Sequence, residues 1–159
     1  MVVIAFVAAV LCMPAGAFAQ KLVFVVRHAE RADAGMQAQT DPPLSAAGEA
    51  RAKKLAAMLA DAGVKDIFTT ELKRTQDTAK PIAMETGVTV EQVASKDTVL
   101  LIEKIKSHPN DVVLVVGHSN TLPAILKALA GVDVAIADNE YDSLFVVVPA
   151  TGTMARIRY

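Results

Sequence analysis

Apolar runs and amphipathic segments alternate along this chain from Lys21 onward. Short runs of valine, leucine and isoleucine, bounded by polar residues, predict buried strands at 22–26, 67–70, 88–93 and 112–116. Between and after them, apolar residues at helical spacing predict helices at 46–62, about 72–86, 98–107 and 120–129. This alternation predicts an α/β fold, a three-layer sandwich whose mostly parallel central sheet is flanked by helices.

The last part of the chain breaks the alternation. Two apolar runs, 144–148 and 154–159, follow one another with only a short polar connection between them. Because Thr151 and Gly152 suit a tight turn, these runs predict a C-terminal antiparallel hairpin.

Composition supports a single domain with an aliphatic core. The 159 residues are 53% hydrophobic and only 4% aromatic, without tryptophan, so the core depends on Val, Leu, Ile, Ala and Met. A formal net charge of -1 offers no basic surface for nucleic acid, which argues against such a partner.

The N-terminus has the pattern of a secretory signal. Residues 1–19 are uncharged and largely apolar, and they end in Ala17-Phe18-Ala19, an A-x-A cleavage pattern. We expect a signal peptide over 1–19, a single domain over 20–159, and an exported protein, periplasmic or secreted, without stable membrane insertion after cleavage. The alternative is an uncleaved anchor. Cys12 is the only cysteine, so the mature chain would have no thiol nucleophile and no disulfide.

Two of the predicted strands end in a histidine. The run 22–26 is followed by Arg27 and His28, and the run 112–116 leads through glycine to His118. Because the carboxyl ends of parallel strands meet at one edge of an open α/β sheet, we expect both histidines in one crevice.

These strand ends, with the start of one helix, predict an anion site. Guanidinium groups match phosphate oxygens in two-pronged fashion, amides at a helix N-terminus attract anions, and a neutral imidazole is a competent nucleophile toward phosphorus. The candidate residues are Arg27, His28, Arg74, His118, Ser119 and Asn120. The predicted ligand is a small phosphorylated substrate.

Several of these residues have other possible roles. Arg74 could be a surface residue paired with Asp77. Glu30 could have no role beyond a salt bridge with Arg27 or Arg31. A histidine at a strand end, taken alone, is more often structural than catalytic. The convergence of all the candidates at strand ends favours the functional interpretation.

Two other chemistries fit the sequence less well. His28, Glu30, Asp33 and His118 could be imagined as metal ligands, but the neighbouring arginines would repel a divalent cation and no metal-site motif is present. We therefore expect no metal. Ser119 lacks the G-x-S-x-G context of a serine hydrolase.

Four ordered segments resemble the histidine phosphatase superfamily, the phosphoglycerate-mutase-like proteins. They are Val26-Arg-His-Ala-Glu30, Asp41-Pro-Pro-Leu-Ser-Ala-Ala-Gly48, Thr70-Glu-Leu-Lys-Arg74-Thr-Gln-Asp-Thr-Ala79 and Val116-Gly-His-Ser-Asn120. The resemblance implies that His28 is the phosphorylated nucleophile and that Arg27, Arg74 and His118 complete the phosphate pocket. It implies no cofactor.

The resemblance leaves several functions open. The segment before the second histidine strand is short, whereas sugar-phosphate mutases of this type carry a longer insertion there. This favours a phosphomonoesterase that acts through a phosphohistidine. The alternatives are a protein phosphohistidine phosphatase, against which the signal-like N-terminus argues, a mutase-type phosphotransferase and a non-catalytic phosphate-binding module.

The general acid is the least defined role. In the resembling family a carboxyl group after the second-arginine helix protonates the leaving oxygen, and here that segment offers Glu85, Glu91 and Asp97. Asp97 is the candidate because it lies where the third strand gives way to a helix, at the pocket edge. It could equally be the N-cap of that helix. Glu30 and Glu140 are the remaining alternatives.

Overall fold

A computed structural model describes residues 22–32, 41–108 and 111–159. The predicted signal peptide, its cleavage site and Asp33 lie outside these residues. Strands and helices alternate until the last two strands, in the order β1 (Leu22–Arg27), α1 (Ala46–Leu59), β2 (Val64–Thr69), α2 (Lys73–Thr86), β3 (Val90–Gln92), α3 (Thr98–Ser107), β4 (Val112–Gly117), α4 (Leu122–Ala130), β5 (Ser143–Val148) and β6 (Thr153–Arg158).

The strands form one mixed sheet in the order β3-β2-β4-β1-β5-β6. Strands β3, β2, β4 and β1 are parallel, whereas β5 and β6 pair antiparallel to their neighbours. The parallel sheet and its C-terminal hairpin are therefore confirmed. Strands β1 and β4 pair at the centre with Arg27 opposite Gly117, so the two histidines that follow lie side by side.

The helices cover both faces of the sheet and complete three layers. Alternate residues of each central strand point to opposite faces, and both sets are buried. One core packs α3 and α4 against Val23, Val25, Val113 and Val115. The other packs α1 and α2 against Phe24, Val26, Leu114 and Val116. Burial on both faces explains why these strands are continuous valine-rich runs.

Some element boundaries differ from those predicted. Helix α4 begins at Leu122 rather than at residue 120, because the amides of Thr121 and Leu122 both bond to the carbonyl of His118 in a preceding turn. Gly117 has no left-handed backbone; a Cβ there would lie 2.7 Å from the end of the Leu122 side chain, which would have to shift to admit a larger residue. None of the helices in the described residues is both long and apolar enough to cross a bilayer.

The start of α1 is packed directly on the backbone that follows the first histidine. Ser45 caps the helix by accepting from the amide of Gly48 at 3.1 Å, and the amide of Ser45 donates to the carbonyl of Glu30 at 2.9 Å. A Cβ on Gly48 would lie 2.1 Å from that same carbonyl oxygen. The glycine therefore permits α1 to approach the backbone that follows His28.

We expect Gly48→Ala to destabilise the protein, although alanine in a helix ordinarily stabilises it by up to about 1 kcal/mol. Because of the backbone clash, we expect the substitution to lower the free energy of unfolding, by roughly 1–3 kcal/mol, instead of raising it. Urea unfolding followed by far-ultraviolet circular dichroism measures the change. Ala50→Gly, at an exposed position of the same helix, gives the propensity effect alone. A Gly48→Ala protein as stable as the parent would contradict the packing argument.

Candidate active site

A cavity of about 400 Å³ opens at the edge of the sheet where β1 and β4 end. Its lining comprises Arg27, His28, Arg31, Arg74, His118, Ser119, Asn120, Asp138 and Tyr141. The structure thus brings together the six residues of the predicted anion site. Asp97 does not line this cavity.

His28 is buried and held in one orientation. Its backbone amide donates to the carbonyl of Gly117 at 2.9 Å, and its ring Nδ1 lies 2.8 Å from the carbonyl oxygen of Ala29. Because a carbonyl only accepts, Nδ1 carries the proton and Nε2 keeps its lone pair. Burial, assisted by His118 and two nearby guanidiniums, lowers the pKa of His28 to about 3. The ring is therefore neutral near pH 7.

His118 lies beside His28, with the two ring centroids 5.3 Å apart. Its Nε2 is 3.0 Å from the hydroxyl of Thr70, whereas its Nδ1 is buried and has no hydrogen-bond partner among the described residues. Burial and the charge of Arg74 lower the pKa of His118 to about 4. Two neutral imidazoles thus share the cavity near pH 7.

The guanidinium of Arg27 is fixed by a loop far along the chain. Its Nη1 donates to the backbone carbonyls of Ala137, Asp138 and Glu140 at 3.1, 2.8 and 3.2 Å. The ring of Tyr141 stacks on it at 4.0 Å, and the tyrosine hydroxyl accepts from Nη2. Nη1 is therefore occupied. The buried Nε has no hydrogen-bond partner among the described residues.

The second predicted guanidinium also reaches the cavity. Arg74 Nη1 lies 3.6 Å from a carboxylate oxygen of Asp41, and the surface partner Asp77 binds Lys73 instead, at 2.7 Å. The alternative pairing of Arg74 with Asp77 is wrong, because the Asp77 carboxylate binds Lys73 and Arg74 lies against Asp41. Arg31 lines the same cavity and adds a third guanidinium.

The candidate acids are engaged elsewhere. Glu30 pairs with Arg51 at 2.7 Å, not with Arg27 or Arg31, and the hydrogen bond from Arg51 holds its pKa below the usual range. Burial acts to raise the pKa of Glu140, but hydrogen bonds, the first from a neighbouring serine, outweigh it and lower the pKa.

Asp97 is the N-cap of α3, where its carboxylate accepts from the amide of Leu100 at 3.2 Å. This contact favours the capping role that the sequence left open. The acid role of Asp97 is untested, and no contact with the cavity supports it.

Sequence reasoning missed several contributors to the cavity. Thr70 lies inside the motif that contains Arg74, so its position next to a functional segment was a usable signal. Tyr141 and Asp138 belong to a loop without any motif, and nothing in the sequence marks their contact with Arg27. Within the described residues, no group of three His, Cys, Asp or Glu side chains could hold a metal ion.

The mostly parallel sheet carries neutral histidines and guanidiniums at its carboxyl edge, an arrangement whose charge and geometry suit a phosphoryl-sized anion. Residues 23–97 match the family model of the histidine phosphatase superfamily, branch 1. Over this segment, which is a little less than half of its length, the chain is similar to that superfamily. The matched segment ends before His118, which the β1–β4 pairing brings to the site.

Curated relatives match over part of the chain. A probable phosphoglycerate mutase, GpmB, from Yersinia enterocolitica is 44% identical over 71 residues, which are 43% of this chain and 33% of the relative. Its counterpart from Escherichia coli K12 is 38% identical over 68 residues, 41% of this chain and 32% of the relative. The aligned part of the chain thus spans about a third of the length of these relatives.

Solved structures share the fold over most of the chain. The protein histidine phosphatase SixA, complexed with tungstate, has a TM-score of 0.68 at 15% identity and covers 86% of this chain and 94% of its own. A mycobacterial glucosyl-3-phosphoglycerate phosphatase, complexed with VO3, has a TM-score of 0.64 at 19% identity, with 79% and 90% covered. At these identities the likeness establishes the fold.

Proposed function

We propose that this protein is a phosphomonoesterase that hydrolyses a small phosphate ester through a phosphohistidine at His28, without a metal. The observation that carries the proposal is the orientation of that ring. Its Nδ1 proton is bound to the Ala29 carbonyl, so a bare Nε2 is presented in a cavity lined by guanidiniums. A neutral, oriented imidazole with a free lone pair is what nucleophilic attack on phosphorus requires.

The first step transfers the phosphoryl group to the protein. The Nε2 lone pair of His28 forms a bond to phosphorus, the bond from phosphorus to the ester oxygen breaks, and its electron pair leaves on that oxygen. The oxygen takes up a proton from solvent and departs as an alcohol. Charge on the phosphoryl oxygens is met by Arg27 Nε, by Arg74 and by polar groups of Ser119 and Asn120, which line the cavity.

The second step returns the histidine to its resting form. A water oxygen bonds to phosphorus and releases a proton to solvent, the phosphorus–nitrogen bond breaks, and its electron pair returns to Nε2. Inorganic phosphate is released. The same donors stabilise both transition states because the phosphoryl group stays in place while nucleophile and leaving group exchange roles.

The proposal predicts a phosphoenzyme at His28. After incubation with p-nitrophenyl phosphate and a rapid quench, intact-mass analysis should show one added phosphoryl group that is labile in acid and stable in base. His28→Asn should abolish the adduct and lower turnover by at least about 1,000-fold, since the covalent route has then lost its nucleophile. His108→Asn, which changes a histidine outside the cavity, is the matched control.

Other outcomes of the same experiment identify the alternatives. Saturable phosphate binding without turnover or adduct would indicate a non-catalytic module. Transfer from the adduct to an added phosphoglycerate in preference to water would indicate a mutase-type phosphotransferase. Transfer from a phosphohistidine protein in preference to small esters would indicate a protein phosphohistidine phosphatase.

We expect Asp97→Asn to retain activity on both alkyl and aryl phosphates, because asparagine is also a good N-cap and the native carboxylate caps α3. Asp97→Ala should instead lower stability by about 1 kcal/mol. A selective loss of alkyl phosphate hydrolysis in Asp97→Asn would contradict this expectation and identify the general acid, since the p-nitrophenyl leaving group needs little protonation.

Export is the second part of the proposal, and it rests on the uncharged apolar segment and the A-x-A pattern before Gln20. In the native host, intact-mass analysis of the exported fraction should show a chain that starts at Gln20. A variant with Ala17→Asp and Ala19→Asp should stay uncleaved, because the peptidase accepts small residues at these positions. A full-length cytoplasmic parent protein would contradict export.

A further inference from the structure

The hydroxyls behind His118 determine which of its ring nitrogens carries the proton. We infer that Thr70, backed by Thr75, holds resting His118 in the tautomer protonated at Nε2, so that its Nδ1 meets an incoming anion as a proton acceptor. Thr70 is then a positioning residue for the phosphatase reaction proposed above. The tautomer is a property of the resting protein, and it can be measured without any turnover.

The argument begins at Thr75, whose hydroxyl has one proton to give. Thr75 Oγ1 lies 2.8 Å from the carbonyl oxygen of Leu72 and 3.2 Å from that of Thr70. Carbonyl oxygens only accept, so the short contact with Leu72 requires the Thr75 proton. Thr75 Oγ1 then has two lone pairs, and one accepts from the amide of Thr70 at 3.1 Å.

The position of the Thr70 proton follows. The hydroxyls of Thr70 and Thr75 are 3.0 Å apart, so one must donate to the other. The Thr75 proton is already bound to a carbonyl, and therefore Thr70 donates. Thr70 Oγ1 also accepts from the amide of Leu72 at 3.3 Å, which leaves one lone pair for His118.

The last contact assigns the imidazole proton. His118 Nε2 lies 3.0 Å from Thr70 Oγ1, whose only proton is already committed to Thr75. The nitrogen must therefore supply the hydrogen. In this arrangement each hydroxyl donates once and accepts twice, and only the longer 3.2 Å contact of Thr75 Oγ1 with the carbonyl of Thr70 lacks a proton of its own.

The reversed arrangement leaves an unfavourable contact. If Thr70 donated to His118, Thr75 would have to donate to Thr70. Its 2.8 Å contact with the carbonyl oxygen of Leu72 would then join two oxygens without a hydrogen between them. Buried oxygen atoms at that distance repel each other, and burial strengthens the repulsion.

The tautomer has a consequence for ligand binding. With the proton on Nε2, a neutral His118 offers only a lone pair at Nδ1, which repels a phosphoryl or sulfate oxygen. Favourable contact requires a proton on Nδ1, taken from solvent or from the anion. Anion binding should therefore be linked to uptake of a proton.

Charged groups around His118 set how readily it takes up that proton. Arg74 from α2 and Arg27 from the end of β1 oppose protonation, as does His28 if it is itself protonated. Glu71, before α2, and Asp41, before α1, favour it. A bound dianion adds negative charge directly against the ring and shifts the balance toward the protonated form.

Nitrogen-15 spectra of histidine-labelled protein measure the tautomer at pH 7 without ligand. The chain has three histidines, so His108→Gln and His28→Asn spectra assign the signals. Wild-type His118 should show a protonated Nε2 and a bare Nδ1, and Thr70→Ser should keep this state. Thr70→Val should move the proton toward Nδ1. Thr69→Val is the matched control, because the buried Thr69 hydroxyl has no partner among the described residues.

Sulfate binding measures the proton uptake, because sulfate itself does not titrate between pH 6 and 8. One proton taken up by His118 makes the wild-type affinity fall by about tenfold per pH unit in this range. In Thr70→Val the fall in sulfate affinity per pH unit should be smaller by about tenfold, because the neutral ring can already donate from Nδ1. Thr70→Ser and Thr69→Val should keep the parent slope. Because His28 is unchanged, the difference between parent and variant isolates His118.

A free wild-type protein with its His118 proton mainly on Nδ1 would overturn the inference, and this measurement decides it even if Thr70→Val does not fold. An unchanged sulfate slope in a folded Thr70→Val protein, or an equal change in Thr69→Val, would also overturn it. If His28 forms no phosphoenzyme while the tautomer is as inferred, only the proposed function fails. If His28 does form a phosphoenzyme but the tautomer of His118 is not as inferred, only the role of Thr70 is rejected.

Discussion

The parallel pairing of β1 with β4 is the interaction on which the rest of the site depends. Its register sets Arg27 opposite Gly117, and the amide of His28 extends the ladder by bonding to the Gly117 carbonyl. Two histidines 90 positions apart in the chain thereby become neighbours in a buried location. A shift of one residue would turn each side chain to the other face of the sheet and separate the rings.

Burial and charge are balanced around this pair. Both imidazoles are kept neutral by burial among guanidiniums, while the carboxylates of Glu30 and Glu140 are bound to other partners away from the cavity. Such a site attracts a doubly charged anion but leaves a nitrogen lone pair free to react. A carboxylate beside the two imidazoles would weaken anion binding, and a protonated imidazole could not act as nucleophile.

The sequence was most informative where a pattern repeats. Valine-rich strands and amphipathic helices predicted the layers, and histidine or arginine at element ends predicted which side chains meet. It was least informative where one atom decides the outcome. The clamp on Arg27, which is the set of hydrogen bonds from its guanidinium to main-chain carbonyls, comes from a loop more than a hundred residues away. The partner of Glu30 proved to be Arg51. Asp97 shows a third limit, because a helix cap and a pocket acid have the same local sequence pattern.

The clamp on Arg27 has a consequence for how this pocket can vary. Its acceptors are carbonyl groups, which every amino acid possesses, so the side chains of Ala137, Asp138 and Glu140 can change without removing the acceptors. What must be kept is the path of the backbone, and hence the length of the loop. Substitutions at this rim therefore leave the acceptors of Arg27 in place, whereas insertions or deletions in the same loop would displace its guanidinium from the pocket.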